Sequence, residues 1–149
     1  MLSMPGLPEL LLIALIVALV SLPLLLYLKT LYKALSRCSI EARAMSPGLV
    51  WLMLIPLFNV IWHFFVVTKL ATTLRNEFGK RGMMTEPAPG QSVGLAMCIL
   101  LLVGWVPVVG IRARIGATVC WIVYWNKIAS LSRKLAIETA NTVPPPVTA

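Results

Sequence analysis

Apolar residues in this chain come in long runs, not in the half-apolar stripes of a helix resting on a water-soluble core. Leu7 to Leu28 is the first run, 22 residues broken in polarity only by Glu9 and Ser21. As a helix it reaches about 33 Å, enough to cross a bilayer core, and Pro23 is expected to kink it. No basic segment precedes it and no small-residue cleavage site follows, so it reads as an uncleaved anchor with its N-terminus outside. Beyond it Lys29, Lys33 and Arg37 recur every four residues. That spacing lines one face of a helix continuing to about Arg37 and sets its cations at the height of anionic headgroups.

Gly48 to Val67 is long enough to cross by length alone, but Pro56 sits near its middle with Asn59 close behind. Cations flank it on both sides, and they decide between two topologies. With four full spans, Lys29, Lys33, Arg37, Arg43, Arg112 and Arg114 share one compartment and the other seven Lys and Arg share the second. If the segment re-enters instead, eleven cations gather on one side and only Arg112 and Arg114 lie outside. Positive-inside statistics favour this second arrangement. The expectation is a re-entrant helical hairpin with its tip at Pro56, Leu57, Phe58 and Asn59, the Asn59 amide repairing the broken turn. A Pro-kinked spanning helix remains the alternative.

Gly79 to Ser92 reads as a polar loop, and Val93 to Val109 as a second span ended by Pro107 and Gly110. Arg112 and Arg114 are expected to form the turn, and Ile115 to Ser130 to return across the membrane with Trp121 and Trp125 on one face and Lys127 at the headgroups. Residues Lys127 to Glu138 continue as a cytoplasmic helix, and 139–149, with three consecutive prolines, reads as a disordered tail. The fold expected is therefore all-α and integral to the membrane. Residues 1–138 form one domain, with spans at 7–28, 93–109 and 115–130, a Pro-broken segment at 48–67 and cytoplasmic helical extensions.

Two stretches repeat weakly: Phe64-Phe65-Val66-Val67-Thr68-Lys69 and Ile122-Val123-Tyr124-Trp125-Asn126-Lys127, each with an Arg six residues after its Lys. The match predicts two tandem hairpins of unequal depth that exit on the same side. Composition agrees with a lipid environment. The 149 residues are 59% hydrophobic and 12% charged, against about 25% charged in soluble domains. The net charge of +8 belongs to topology and lipid, because no nucleic-acid module surrounds the cations.

Chemistry is starved. The acids are Glu9, Glu41, Glu77, Glu86 and Glu138, there is no Asp, and His63 is the only histidine. No catalytic, cofactor-binding or metal-binding set can be assembled. Ser46, Cys38 and Glu41 cluster near one membrane edge without a histidine to activate them. Cys98 and Cys120 read as small buried hydrophobes, while Cys38, at the membrane edge, is also a candidate for acylation.

The string Arg43-Ala-Met-Ser-Pro-Gly48, then Trp51-Leu-Met-Leu-Ile-Pro-Leu-Phe-Asn59 and the aromatic helix to Ala71, resembles a group of small uncharacterised bacterial multi-pass membrane proteins. The likeness covers roughly residues 43 to 135. It implies a bacterial inner membrane and, since no activity is established for the group, lends no functional residue. The leading expectation is a non-enzymatic accessory or scaffold subunit that self-associates or packs with other membrane subunits. Its large aromatics and the small pair Ala14 and Ala18 offer packing faces for this. The alternative is a small channel or transporter with its site at the break, Pro56 and Asn59, with His63 one turn on. Anionic lipid headgroups are the expected partners of Lys29, Lys33, Arg37, Lys69 and Lys127.

Overall fold

A computed structural model describes residues 6–83, 86–107 and 109–142. All regular structure among the described residues is helical. The order is α1 (Leu7–Ser36), a short 3-10 turn (Ile40–Ala42), a 3-10 stretch (Pro47–Leu54), α2 (Pro56–Lys80), α3 (Gln91–Val103) and α4 (Gly110–Thr142). Of these, α1 is the one helix both long and apolar enough to cross a membrane. It runs unbroken through Pro23 and ends at Ser36, within one residue of the expected end.

Side-chain contacts set the helix directions. Tyr27 meets His63 and Trp121, Trp125 bonds Thr30, and ten residues further along α1 Arg37 reaches Ser132 and Arg81 reaches the Arg37 carbonyl. Hence α1, α2 and α4 run parallel, and α3 returns between the last two. The hairpin expectation is met in its connectivity, since both hairpins leave at the same end. The weak repeat is spatial as well: one residue before the matched strings, His63 and Trp121 stand at one level against the same tyrosine. By the same alignment α4 begins four residues, or about 6 Å, beyond the start of α2, so the depths differ by less than the upstream prolines implied.

The segment around Pro56 doubles back. Trp62 Nε1 donates to the Leu49 carbonyl at 2.8 Å, the Ala44 amide to Thr73 Oγ1 at 2.9 Å and the Ser39 amide to Glu77 at 2.8 Å. The 3-10 stretch thus lies along α2 in the opposite sense, with Val50 and Met53 buried in the core. Its tip falls earlier than expected. Ile55 is extended at ψ 112°, and Pro56 opens α2 as its first residue. A proline suits that position because the amide it lacks would have had no helical partner. The Asn59 amide closes the first turn onto the Ile55 carbonyl at 2.8 Å, so the backbone repairs itself and the Asn59 side chain is not used.

The second hairpin also departs from expectation. α3 stops at Val103, where the Gly104 amide bonds the Leu100 carbonyl and the next two amides tighten to i−3 partners. At 13 residues it spans only about 20 Å. Residues 93–109 therefore do not form one span, and 115–130 is the middle of α4. Arg112 and Arg114 sit in the first turns of α4, not in the connection, because the helix already starts at Gly110. That start depends on glycine: a Cβ at Gly110 would lie 2.7 Å from the Gly104 carbonyl oxygen. Gly94 is the other close approach, where a Cβ would meet Val67 at 2.5 Å and Tyr124 at 2.9 Å, and this lets α2, α3 and α4 converge. α4 continues to Thr142, so 139–142 is helical, and the rest of the expected tail, 143–149, lies outside the described residues.

Candidate functional site: a cavity at Asn59 and His63 and a cationic groove

Asn59 and His63 are one turn apart and share a face of α2. Both line an open cavity of about 230 Å³, together with Leu24 of α1, Met97 and Leu101 of α3 and Trp121 of α4. His63 is buried, and a 3.0 Å hydrogen bond joins its Nε2 to Tyr27 Oη. The imidazole is thus tied into packing as well as facing the cavity. Asn59 Oδ1 is buried with no hydrogen-bond partner among the described residues, which leaves one strong acceptor unsatisfied. Pro56 places this face by starting the helix three residues before Asn59, in the same first turn. No group of three His, Cys, Asp or Glu able to hold a metal exists among the described residues.

Tyr27 is the residue that sequence reasoning missed. Fully buried, it sets its ring against His63, Trp121, Tyr124 and Trp125 with centroids 5.5 to 6.4 Å apart. Its place two residues before Lys29 marks it only as an interfacial aromatic. Nothing local distinguishes a belt tyrosine from a hub.

A second site lies between α1 and α4. Lys29, Lys33 and Arg37 of α1 and Arg133 of α4 line a groove of about 560 Å³ whose walls also include Leu26 and Trp125. Arg37 anchors the wall, its Nη1 donating to the Ser132 carbonyl at 2.7 Å and to Ser132 Oγ at 2.8 Å. The remaining two expected headgroup residues are placed differently. Lys69 Nζ sits 5.5 Å from the Phe65 ring centroid, at the end of an aromatic stack through Trp62 and Phe58. Lys127 pairs with Glu86 at 2.6 Å.

Beyond the groove, Glu77 and Arg81 clamp the helix ends. Arg81 pairs with Glu77 at 2.7 Å and donates to the Leu135 carbonyl, Thr139 Oγ1 and the Arg37 carbonyl, linking α1, α2 and α4. Burial works to raise the Glu77 carboxyl. Hydrogen bonds from the Ser39 amide and hydroxyl and from Arg81, with the Arg81 charge, outweigh it and hold the group below the ordinary carboxylate range. The same neighbourhood disarms the candidate nucleophile: Cys38 is buried, donates to the Ala34 carbonyl, and is pushed up to about 12 by burial and by the Glu77 charge. Burial and the raised thiol both disfavour the exposed thiolate that nucleophilic chemistry or acylation at Cys38 requires. Glu41 is held by Lys80. Comparison with protein-family models, with curated proteins and with solved structures finds no match for this chain.

Proposed function

We propose that this chain is a non-enzymatic multi-pass protein of a bacterial inner membrane, N-terminus outside and C-terminus cytoplasmic. In this reading it serves as an accessory or scaffold subunit, packing α1 against a second copy or another membrane helix. One observation carries the proposal. Every described side chain from Leu7 to Leu19 is exposed, so the most apolar stretch of the protein is left uncovered by the rest of the fold. In water that would be a bare apolar surface far beyond what a soluble monomer tolerates. Lipid accepts it, and the exposed Ala14 and Ala18 form a shallow seat where a neighbouring helix can approach closely.

The direction of the bundle supports the topology. Lys29, Lys33, Lys69, Arg75, Lys127 and Arg133 all fall toward the end where α1, α2 and α4 exit, with Arg112 and Arg114 toward the opposite end, as the positive-inside preference requires if the first hairpin re-enters. The short α3 and the charged ends of α2 and α4 support a reading in which both hairpins lie in the bilayer beside the one full span. In mild detergent the protein should run as a dimer or larger, or with a companion subunit, by light scattering. Ala14→Leu with Ala18→Leu should shift it to monomer with its melting unchanged. A wild-type monomer without a companion would end the proposal.

A small channel or transporter centred on Pro56, Asn59 and His63 is the second reading, favoured by the unpartnered Asn59 oxygen at the cavity. Liposome flux decides it: flux that is absent, or that survives both Asn59→Leu and His63→Leu, disposes of it.

A further inference from the structure

We infer that the groove between α1 and α4 binds one anionic phospholipid, its phosphate among Lys29, Lys33 and Arg133 and an acyl chain along Leu26 and Trp125. The inference rests on the membrane placement proposed above and adds a specific ligand to it. Three observations carry it: the groove's shape, its polarity along the helix axis, and the lack of internal compensation for its charges.

The shape follows from spacing. Leu26, Thr30, Lys33 and Arg37 lie on one face of α1, and Trp125, Ala129 and Arg133 on one face of α4. The parallel helices are pinned together at Trp125 Nε1 to Thr30 Oγ1, 2.9 Å, and again at Arg37 to Ser132. Between those two pins the small Ala129 leaves the space. At about 560 Å³ it falls within the roughly 300–1,000 Å³ that accepts a drug-sized ligand.

Polarity runs along the groove as it runs through a bilayer leaflet. Leu26 and Trp125 stand at the end nearer the membrane interior, Lys29 and Lys33 follow, and Arg37 and Arg133 lie furthest out. A zwitterionic headgroup would bring its own cation into that cluster. A headgroup with net negative charge would not.

Charge compensation separates this groove from the three basic positions that carry ion pairs. Lys80, Arg81 and Lys127 are paired with Glu41, Glu77 and Glu86. No carboxylate lies within ion-pairing distance of Lys29, Lys33 or Arg133 among the described residues. Four like charges facing one space, Arg37 included, repel each other until an anion enters, and a phosphate oxygen is the acceptor that suits ammonium and guanidinium together.

The test titrates dioleoyl phosphatidylglycerol into the full-length protein, delipidated in detergent, and reads retention by native mass spectrometry. Phosphatidylcholine with the same chains and inorganic phosphate are the comparison probes. Phosphatidylglycerol should be retained and phosphatidylcholine lost. Each of Lys33→Gln and Arg133→Gln should weaken retention about fivefold, and Ala129→Leu, which fills the space without touching charge, should abolish it. Lys134→Gln, one residue from Arg133 but outside the groove, should change it less than twofold. Equal retention of the two lipids, or equal loss in Lys134→Gln and Arg133→Gln, would overturn the site. Displacement by inorganic phosphate at matching concentration would overturn the lipid in favour of a free anion. Lys33 and Arg133 are exposed and unpaired, so their variants decide the matter even if Ala129→Leu misfolds. The same spectra give oligomer mass, so a lipid-binding monomer would end the scaffold reading alone and a lipid-free dimer this one alone.

Discussion

Among the described residues Arg81 concentrates more polar contacts than any other side chain, and its partner Glu77 is 3% exposed. A carboxylate so enclosed is tolerable only while its donors stay in place. The sign of its pH dependence follows from its depressed pKa. Stability from the clamp is fully present above the ordinary glutamate value of about 4.3 and is lost as pH falls through the lower folded value. Glu41 and Glu86 are also held low, by hydrogen bonds and charge from Lys80 and Lys127, but their pairs face open solvent, where such contacts contribute little. Melting of detergent-solubilised protein should therefore be flat from pH 7 to about 5 and fall below about 4, and Glu77→Gln should lower stability at pH 7 while flattening that fall. An acid slope unchanged in Glu77→Gln would assign it elsewhere.

At the level of elements, the backward fold of the 3-10 stretch onto α2 has a consequence for topology. Lys33 and Arg75 lie toward the same end of the bundle, because α1 and α2 run parallel and the hairpin between them turns at Ile55. Cysteines at these two positions should both react with an impermeant maleimide from the cytoplasmic face of inverted vesicles, and a cysteine at Arg112 only from the other face. Labels at 33 and 75 on opposite faces would contradict the hairpin. The turn beside Pro56 was legible from sequence, because a proline inside an apolar run is a local signal. Helix ends were less so. The Arg112–Arg114 pair looked like a turn since charges usually mark one, yet Gly104 and Gly110 had already closed the connection by letting two backbones touch. Tyr27 and the Arg81 clamp were illegible for a different reason. Tyr27 meets His63 across 36 residues, and Arg81 meets Leu135 across 54, and no periodicity records which distant carbonyl or ring a side chain will find. Of the two sites, the α1 half of the groove was readable as a cationic stripe, while Arg133 and the space over Ala129 emerged only once α4 was laid beside it.

Across the whole molecule, packing is strongly uneven. Tyr27, Leu28, Leu31, Ala34 and Leu35 of α1 are buried, whereas Leu10, Leu12 and Leu15 remain more than half exposed. One helix thus serves two purposes: from about Leu24 onward it packs against the bundle, and Leu7–Leu19 are exposed. Stability should divide accordingly. Leu31→Ala removes a fully enclosed side chain from the contact of α1 with the rest of the fold and should cost about 2–5 kcal/mol. Leu12 lies across the helix from Ala14 and is 58% exposed, so Leu12→Ala should leave stability within about 0.5 kcal/mol. Equilibrium unfolding of both variants in the same detergent measures the difference directly. Comparable losses would mean that the upper part of α1 is held by contacts within the monomer, and the free helix on which the scaffold proposal stands would no longer be free. A loss confined to Leu31→Ala leaves that helix available, with its stability guaranteed from below by the core that Tyr27 organises.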